Sequence, residues 1–326
     1  MKKFLTWTGI TLVVLISVYF IGPRPDKVML SPALTTVTDD VIQLEKDIRE
    51  TEAQFDLKPD NEARIVWADT AKKQKTKYSM VYIHGFGASW AEGDPIHTQL
   101  AKKYGCNLYL ARLYDAGVKS PDAFKNLTPE NFLSGAKYAI AVGKALGDSV
   151  IVIGCSAGGL LASYIASEHP EIKALVLYSP CFKVNGLEIA TGPWGAQLLK
   201  QLGGTHRDIT HYAPDRARYW LTRYHTNGVM TLQQTMDAVV KPETFAKIKM
   251  PVFLAYYYKD EENQDQVVSV PEMLKAFDQL GTSAAQKRKV ALPNAGDHVI
   301  ASHFTSKDLD GVFRETDTFL REVVFK

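Results

Sequence analysis

Ser156 sits in Gly154-Cys155-Ser156-Ala157-Gly158, flanked on each side by a glycine two residues away. A serine hydroxyl is a poor nucleophile at neutral pH. It attacks a carbonyl carbon only when a base removes its proton and a carboxylate steadies that base. The surroundings of Ser156 suit this task. An apolar run from Ser149 to Ile153 ends at the first glycine, and helical spacing starts directly after the serine. In such a strand–turn–helix segment the glycines allow a tight turn and the hydroxyl projects from the strand end. The helix N-terminus then offers N–H groups to developing negative charge.

The base should follow the serine. His169, His206, His211, His225, His298 and His303 all do. His298 stands in a Gly-Asp-His turn directly after the last expected strand, where an imidazole can swing over strand ends. His303 falls on the expected next helix, and His206, His211 and His225 lie in an insertion. The acid is expected after the run ending Tyr256-Tyr257-Tyr258, in a loop carrying Asp260, Glu261, Glu262 and Asp265. Asp265 is preferred because Val267 and Val268 can anchor the loop beside it. Asp260, nearer the strand end, is the alternative. Oxyanion donors are also needed. The run Tyr78 to Ile83 leads into His84-Gly85-Phe86-Gly87-Ala88-Ser89, so the expected donors are the backbone N–H groups of Phe86 and Ala157. His84 is expected to order this turn, and Glu92 to form an ordinary salt bridge rather than touch substrate.

These residues must be carried by elements that bring them together. Strands are expected at Ala63 to Trp67, Tyr78 to Ile83, Asn107 to Leu113, Ser149 to Ile153, Lys173 to Tyr178, Met250 to Tyr258 and Lys287 to Leu292. Helical segments alternate with them, notably Pro129 to Leu146 and Ala157 to Glu168. Several strands are continuous apolar runs, as expected of strands covered by helices on both faces. The alternation implies an α/β fold with a mostly parallel central sheet. Residues 182–248 break it, being too long for an ordinary connection, and read as a mostly helical cap. The catalytic domain is expected over 60–326. Residues 26–59 are read as a connector and an amphipathic helix, N-capped by Thr38 with Asp39 and carrying an apolar stripe of Val41, Leu44, Ile48 and Phe55.

At the N-terminus, Lys2 and Lys3 precede an apolar run from Phe4 to Ile21, about 18 residues, with Pro23 and Pro25 beyond. Roughly 20 residues suffice for a transmembrane helix, so residues 1–25 are expected to form a membrane anchor. The absence of a small-residue cleavage site favours this over a cleaved secretory signal, the alternative. The leading lysines place the catalytic domain on the exported side. Elsewhere the composition is that of an ordinary globular chain, 46% hydrophobic and 23% charged. A net charge of +2 gives no support for nucleic-acid binding. Cys106, Cys155 and Cys181 are too few and too scattered for a disulfide framework or zinc site, and are expected as buried small hydrophobes.

Together the motifs HGFGAS (84–89), GCSAGG (154–159), DQVV (265–268) and GDHV (296–299) resemble the α/β-hydrolase superfamily, in its esterase, monoacylglycerol-lipase-like and serine-aminopeptidase-like branch. The resemblance covers roughly 62–325. It implies an α/β-hydrolase fold, a Ser156–Asp265–His298 triad and no metal or organic cofactor. The implied substrate is a small ester, with acylglycerol or lipid-like esters favoured by the cap residues Trp194, Leu198, Leu199, Tyr219 and Trp220. An aminopeptidase or amidase with the same triad is the alternative, and an inactive membrane-anchored binding module a further one. LYDAGV (113–118) departs from the Gly-His-Gly turn common in this branch.

Overall fold

The computed structural model describes the backbone of residues 2–326. Its centre is a seven-stranded sheet. The strands are β1 (Arg64–Val66), β2 (Thr76–Ile83), β3 (Asn107–Leu110), β4 (Gly147–Cys155), β5 (Ala174–Tyr178), β8 (Val252–Tyr256) and β9 (Lys287–Ala291). A separate two-stranded ribbon holds β6 (His206–Asp208) and β7 (Arg223–His225). The large sheet has the order β1-β3-β2-β4-β5-β8-β9. Its pairs are parallel except at the edge, where β1 runs antiparallel to β3.

Alternation along the strands explains why both faces are covered. Val81, Ile83, Val152, Leu175 and Leu254 point into one core with α4 (Pro129–Leu146) and α5 (Ala157–Glu168). Met80, Tyr82, Ile151, Ile153 and Phe253 point into the other with α3 (Ile96–Tyr104) and α11 (Leu309–Phe319). Each fully buried aliphatic side chain contributes roughly 1.5–3 kcal/mol, so the continuous apolar runs are the main stabilising feature of the sheet. The expected helices Pro129–Leu146 and Ala157–Glu168 form as read. Thr128 closes a capping box with Asn131, which fixes the start of α4.

The amphipathic helix α2 (Val41–Glu52) packs on this domain through Leu44 and Ile48. Its N-cap is Asp40 rather than Thr38 or Asp39. Asp40 Oδ1 accepts from the N–H groups of Ile42 at 2.9 Å and Gln43 at 3.1 Å. At the far end Glu52 takes a two-pronged bond from Arg112, 2.6 Å from Nε and 3.0 Å from Nη2, and accepts from the Ala63 N–H at 2.9 Å. Phe55 lies beyond the helix, with the Arg112 guanidinium 4.2 Å above its ring.

Between β5 and β8 lie the helices α6 (Gly195–Gly203), α7 (Pro214–Ala217), α8 (Asn227–Val239) and α9 (Pro242–Lys247). Beside these helices the mostly helical cap also carries the β6–β7 ribbon. Its strands are three residues each and polar, with Asp208 opposite and ion-paired to Arg223, so no apolar run announces them. All three cysteines are buried and free.

The N-terminal segment forms the helix α1 (Lys2–Phe20). The expected anchor of 1–25 falls partly outside the described residues. Among the described residues no helix is long and apolar enough to cross a membrane.

Candidate active site

The parallel strands end on one edge of the sheet, where ligands of open α/β folds bind. Ser156 follows β4 there, His84 to Phe86 follow β2, Asp265 lies on the loop after β8, and His298 on the loop after β9. Ser156 has φ 51° and ψ −119°, a strained conformation for a residue with a side chain. The neighbours hold it: Ser156 donates its N–H to Tyr178 O at 2.9 Å, and its carbonyl accepts from Cys181 N at 2.9 Å and Leu160 N at 3.1 Å. Gly158 is required by close approach. A methyl group there would collide with the carbonyl oxygen of Ile83 and stand 2.6 Å from that of His84.

Asp265 and His298 meet directly, with Oδ2 2.6 Å from Nδ1. The other carboxylate oxygen, Oδ1, accepts from the N–H groups of Val267 at 2.9 Å and Val268 at 3.0 Å. The expected anchoring by this valine pair is thus a main-chain effect, and it aims Asp265 at the imidazole. Burial alone would raise the Asp265 carboxyl. The His298 charge and hydrogen bond, helped by the two amides, hold it below the usual aspartate value. For His298 burial acts downward, but Asp265, then Glu92 and Asp297, raise it above the ordinary histidine value. Its Nε2 is buried and has no hydrogen-bond partner among the described residues. Asp260 is exposed and caps its own loop, accepting from Asn263 N at 2.8 Å and Glu262 N at 3.1 Å.

His298 and Ser156 line one cavity of about 540 Å³. Val184, Leu187, Leu221, Val229 and Leu232 supply apolar wall to it. Among the cap aromatics singled out in the sequence, Trp220 lines this cavity. Tyr219 instead donates to Asp60 at 2.8 Å, and Trp194 packs by its backbone on Pro23 at 2.9 Å.

On the opposite side of Ser156 is the turn after β2. Among the described residues neither the Phe86 nor the Ala157 N–H has a hydrogen-bond partner. His84 is buried, and burial pushes its imidazole down to about 4, so it is neutral. Its Nε2 accepts from Leu113 N at 3.1 Å, which leaves the proton on Nδ1 to be donated to the Gly85 carbonyl at 2.8 Å. Both nitrogens are occupied, so His84 orders the turn and has no free site for a base. The departure LYDAGV supports the same turn at one remove. Asp115 accepts from Phe124 N at 3.0 Å, and the Phe124 ring packs on Phe86 at 4.6 Å. The Phe86 ring also meets Tyr224 of the cap at 5.5 Å, and Leu221 N donates to Gly87 O at 2.7 Å.

Glu92 departs from expectation. It makes no salt bridge among the described residues, but lies buried in the cavity wall, accepting from Gly85 N at 2.6 Å and Tyr82 Oη at 3.1 Å. Nothing in the residues flanking Glu92 marks this burial, which comes from the packing of the turn against β2 and β4.

The alpha/beta hydrolase family pattern matches residues 80–315, and the chain belongs to that family. Among solved structures, a metagenome-derived lipolytic enzyme from work on LipS and LipT is similar with a TM-score of 0.66 and 15% identity, over 81% of this chain and 99% of that one. A soluble variant of the Saccharomyces cerevisiae monoglyceride lipase gives 0.58 and 18%, over 80% and 90%. The Paleococcus ferrophilus monoacylglycerol lipase gives 0.56 and 15%, over 80% and 99%. At such identities the likeness is one of fold. No curated protein matches in sequence. The chain is therefore a hydrolase of this family, on the scaffold that lipases and esterases share.

Proposed function

We propose that this hydrolase cleaves carboxylic esters through an acyl-enzyme on Ser156. The observation that carries the reading is the Asp265–His298 bond of 2.6 Å, which leaves His298 Nε2 unpartnered on a loop lining the cavity of Ser156. Nε2 takes the Oγ proton as Oγ bonds to the ester carbonyl carbon, and Asp265 steadies the imidazolium. The Phe86 and Ala157 N–H groups receive the oxyanion. Collapse expels the alkoxide, which takes the proton back from His298 and leaves as alcohol. Water then adds to the acyl carbon, giving its proton to His298. Release of the acid returns that proton to Ser156.

The apolar cavity wall supports an acyl group of aliphatic character as the bound portion, as in acylglycerols and related esters. Ser156→Ala should lower p-nitrophenyl ester turnover on the order of 10⁵-fold or more and abolish fluorophosphonate labelling. Labelling retained at another serine would sink the assignment. Greater activity on aminoacyl amides than on short-acyl esters would shift the reading to an amidase with the same residues.

The apolar run Phe4 to Ile21, with Trp7, Val13, Phe20 and Ile21 exposed, supports attachment to a membrane, and Lys2 and Lys3 before it support an exported catalytic domain. The full chain should then resist alkaline carbonate extraction and be digested by external protease. Complete protection from outside would overturn the exported placement.

A further inference from the structure

The chemistry proposed for Ser156 leaves one buried acid of the cavity unused. Glu92, on the turn Trp90–Gly93, is 2% exposed and lines the same wall as Ser156 and His298. A carboxylate removed from water without a cation is costly unless its oxygens are bonded. Here Oε2 accepts from the Gly85 N–H at 2.6 Å and the Tyr82 hydroxyl at 3.1 Å. The positive charge acting on it is that of His298. Gly85 fills the narrow space between this acid and the nucleophile. A methyl group on it would stand 2.6 Å from Glu92 Oε1 and 3.0 Å from Ser156 Cβ.

We propose that Glu92 is a positioning residue, which holds the Gly85–Phe86 turn against Ser156 and presents a second negative charge, beside that of Asp265, to the imidazolium that His298 becomes. The bond to Gly85 lies one residue before the proposed oxyanion donor, so the acid acts on that donor's alignment through the backbone. Its charge acts on His298 through space. The groups facing Glu92 come from several elements: Tyr82 on β2, Cys155 on β4, His298 after β9 and Tyr212 of the cap. Asp265 and Asp297 face His298 alongside it. Burial pushes the Glu92 carboxyl up to about 7, against the bonds from Gly85 and Tyr82 and the charge of His298. Near neutral pH the acid therefore changes charge over the range in which His298 must act as base.

The inference rests on the serine-hydrolase reading, and its test separates the two. Glu92→Gln keeps the size and an acceptor for Gly85 but removes the charge. The rate of Ser156 labelling by a fluorophosphonate is measured against pH on the full chain, with kcat and KM for p-nitrophenyl butyrate. Loss of the anion makes His298 easier to deprotonate. The rising limb of the labelling profile should then move to lower pH by about half a unit or more, with kcat falling about tenfold and KM within about twofold. A profile superimposable on that of the unaltered protein would overturn the proposal. If Glu92→Gln is not recovered folded, Tyr82→Phe removes one donor to the charged carboxyl. It should move the limb the same way by a smaller step, and an unmoved limb would again overturn it. Absence of labelling in the unaltered protein at every pH would bring down the hydrolase reading, and this inference with it.

Discussion

Asp265 Oδ2 lies 2.6 Å from His298 Nδ1, across 33 residues of chain that include α10 (Val270–Asp278) and β9. Two amides on the far oxygen keep the carboxylate facing the ring. In Asp265→Asn the amide nitrogen can donate to Nδ1 and favour the wrong tautomer. We expect kcat for ester hydrolysis to fall on the order of 10⁴-fold with little change in folding. A loss below about tenfold would show that His298 needs no orienting acid.

The rate should also carry the signature of a raised histidine. Burial lowers His298, but the charge and hydrogen bond of Asp265 outweigh it, and the net is upward from 6.5. Only the neutral ring can accept the serine proton. As pH rises, kcat/KM should therefore increase along a limb centred above 6.5. A limb centred well below that value would contradict the environment described for His298.

Much of this architecture is legible in the residues themselves. The strands are readable because both faces of the sheet are covered, so β5, β8 and the Val150–Ile153 part of β4 are apolar without a break. The placement of Ser156 and His298 at strand ends is readable, because each lies in a local turn pattern directly after a strand. Asp265 was separable from Asp260 only by inference, since what selects it is a pair of main-chain N–H groups that leave no mark in side-chain types. Glu92 was misjudged. Its burial depends on Tyr82 and Cys155 facing the same side of two adjacent strands, a tertiary fact. The β6–β7 ribbon was missed because three polar residues per strand carry no periodic signal.

The buried pair of Glu52 and Arg112 gives a stability test at the junction of α2 and the catalytic domain. Their side chains are 10% and 6% exposed. Removing one partner strands the other charge away from water, so Arg112→Met should cost about 3–5 kcal/mol in urea unfolding. A cost under about 1 kcal/mol would mean that α2 detaches without consequence for the domain.

Gly158→Ala tests the packing behind Ser156. The added methyl would collide with the main chain of β2, which cannot yield as a side chain can. We expect a loss of roughly 3 kcal/mol or more, or no folded protein. Ser156→Ala should serve as the control that leaves the melting temperature nearly unchanged. Equal melting of the two variants would show the helix shifting freely away from the sheet.

The bond from Leu221 to Gly87, with the Phe86 ring against Tyr224, makes the cap and the turn beside Ser156 one mechanical unit. A bulky guest that levers the cap outward must tug on the residue adjoining Phe86. Breadth of substrate and speed of turnover are thereby set in opposition. Grafting a roomier cap onto this scaffold should slow hydrolysis of even the smallest esters, which would still fit without strain.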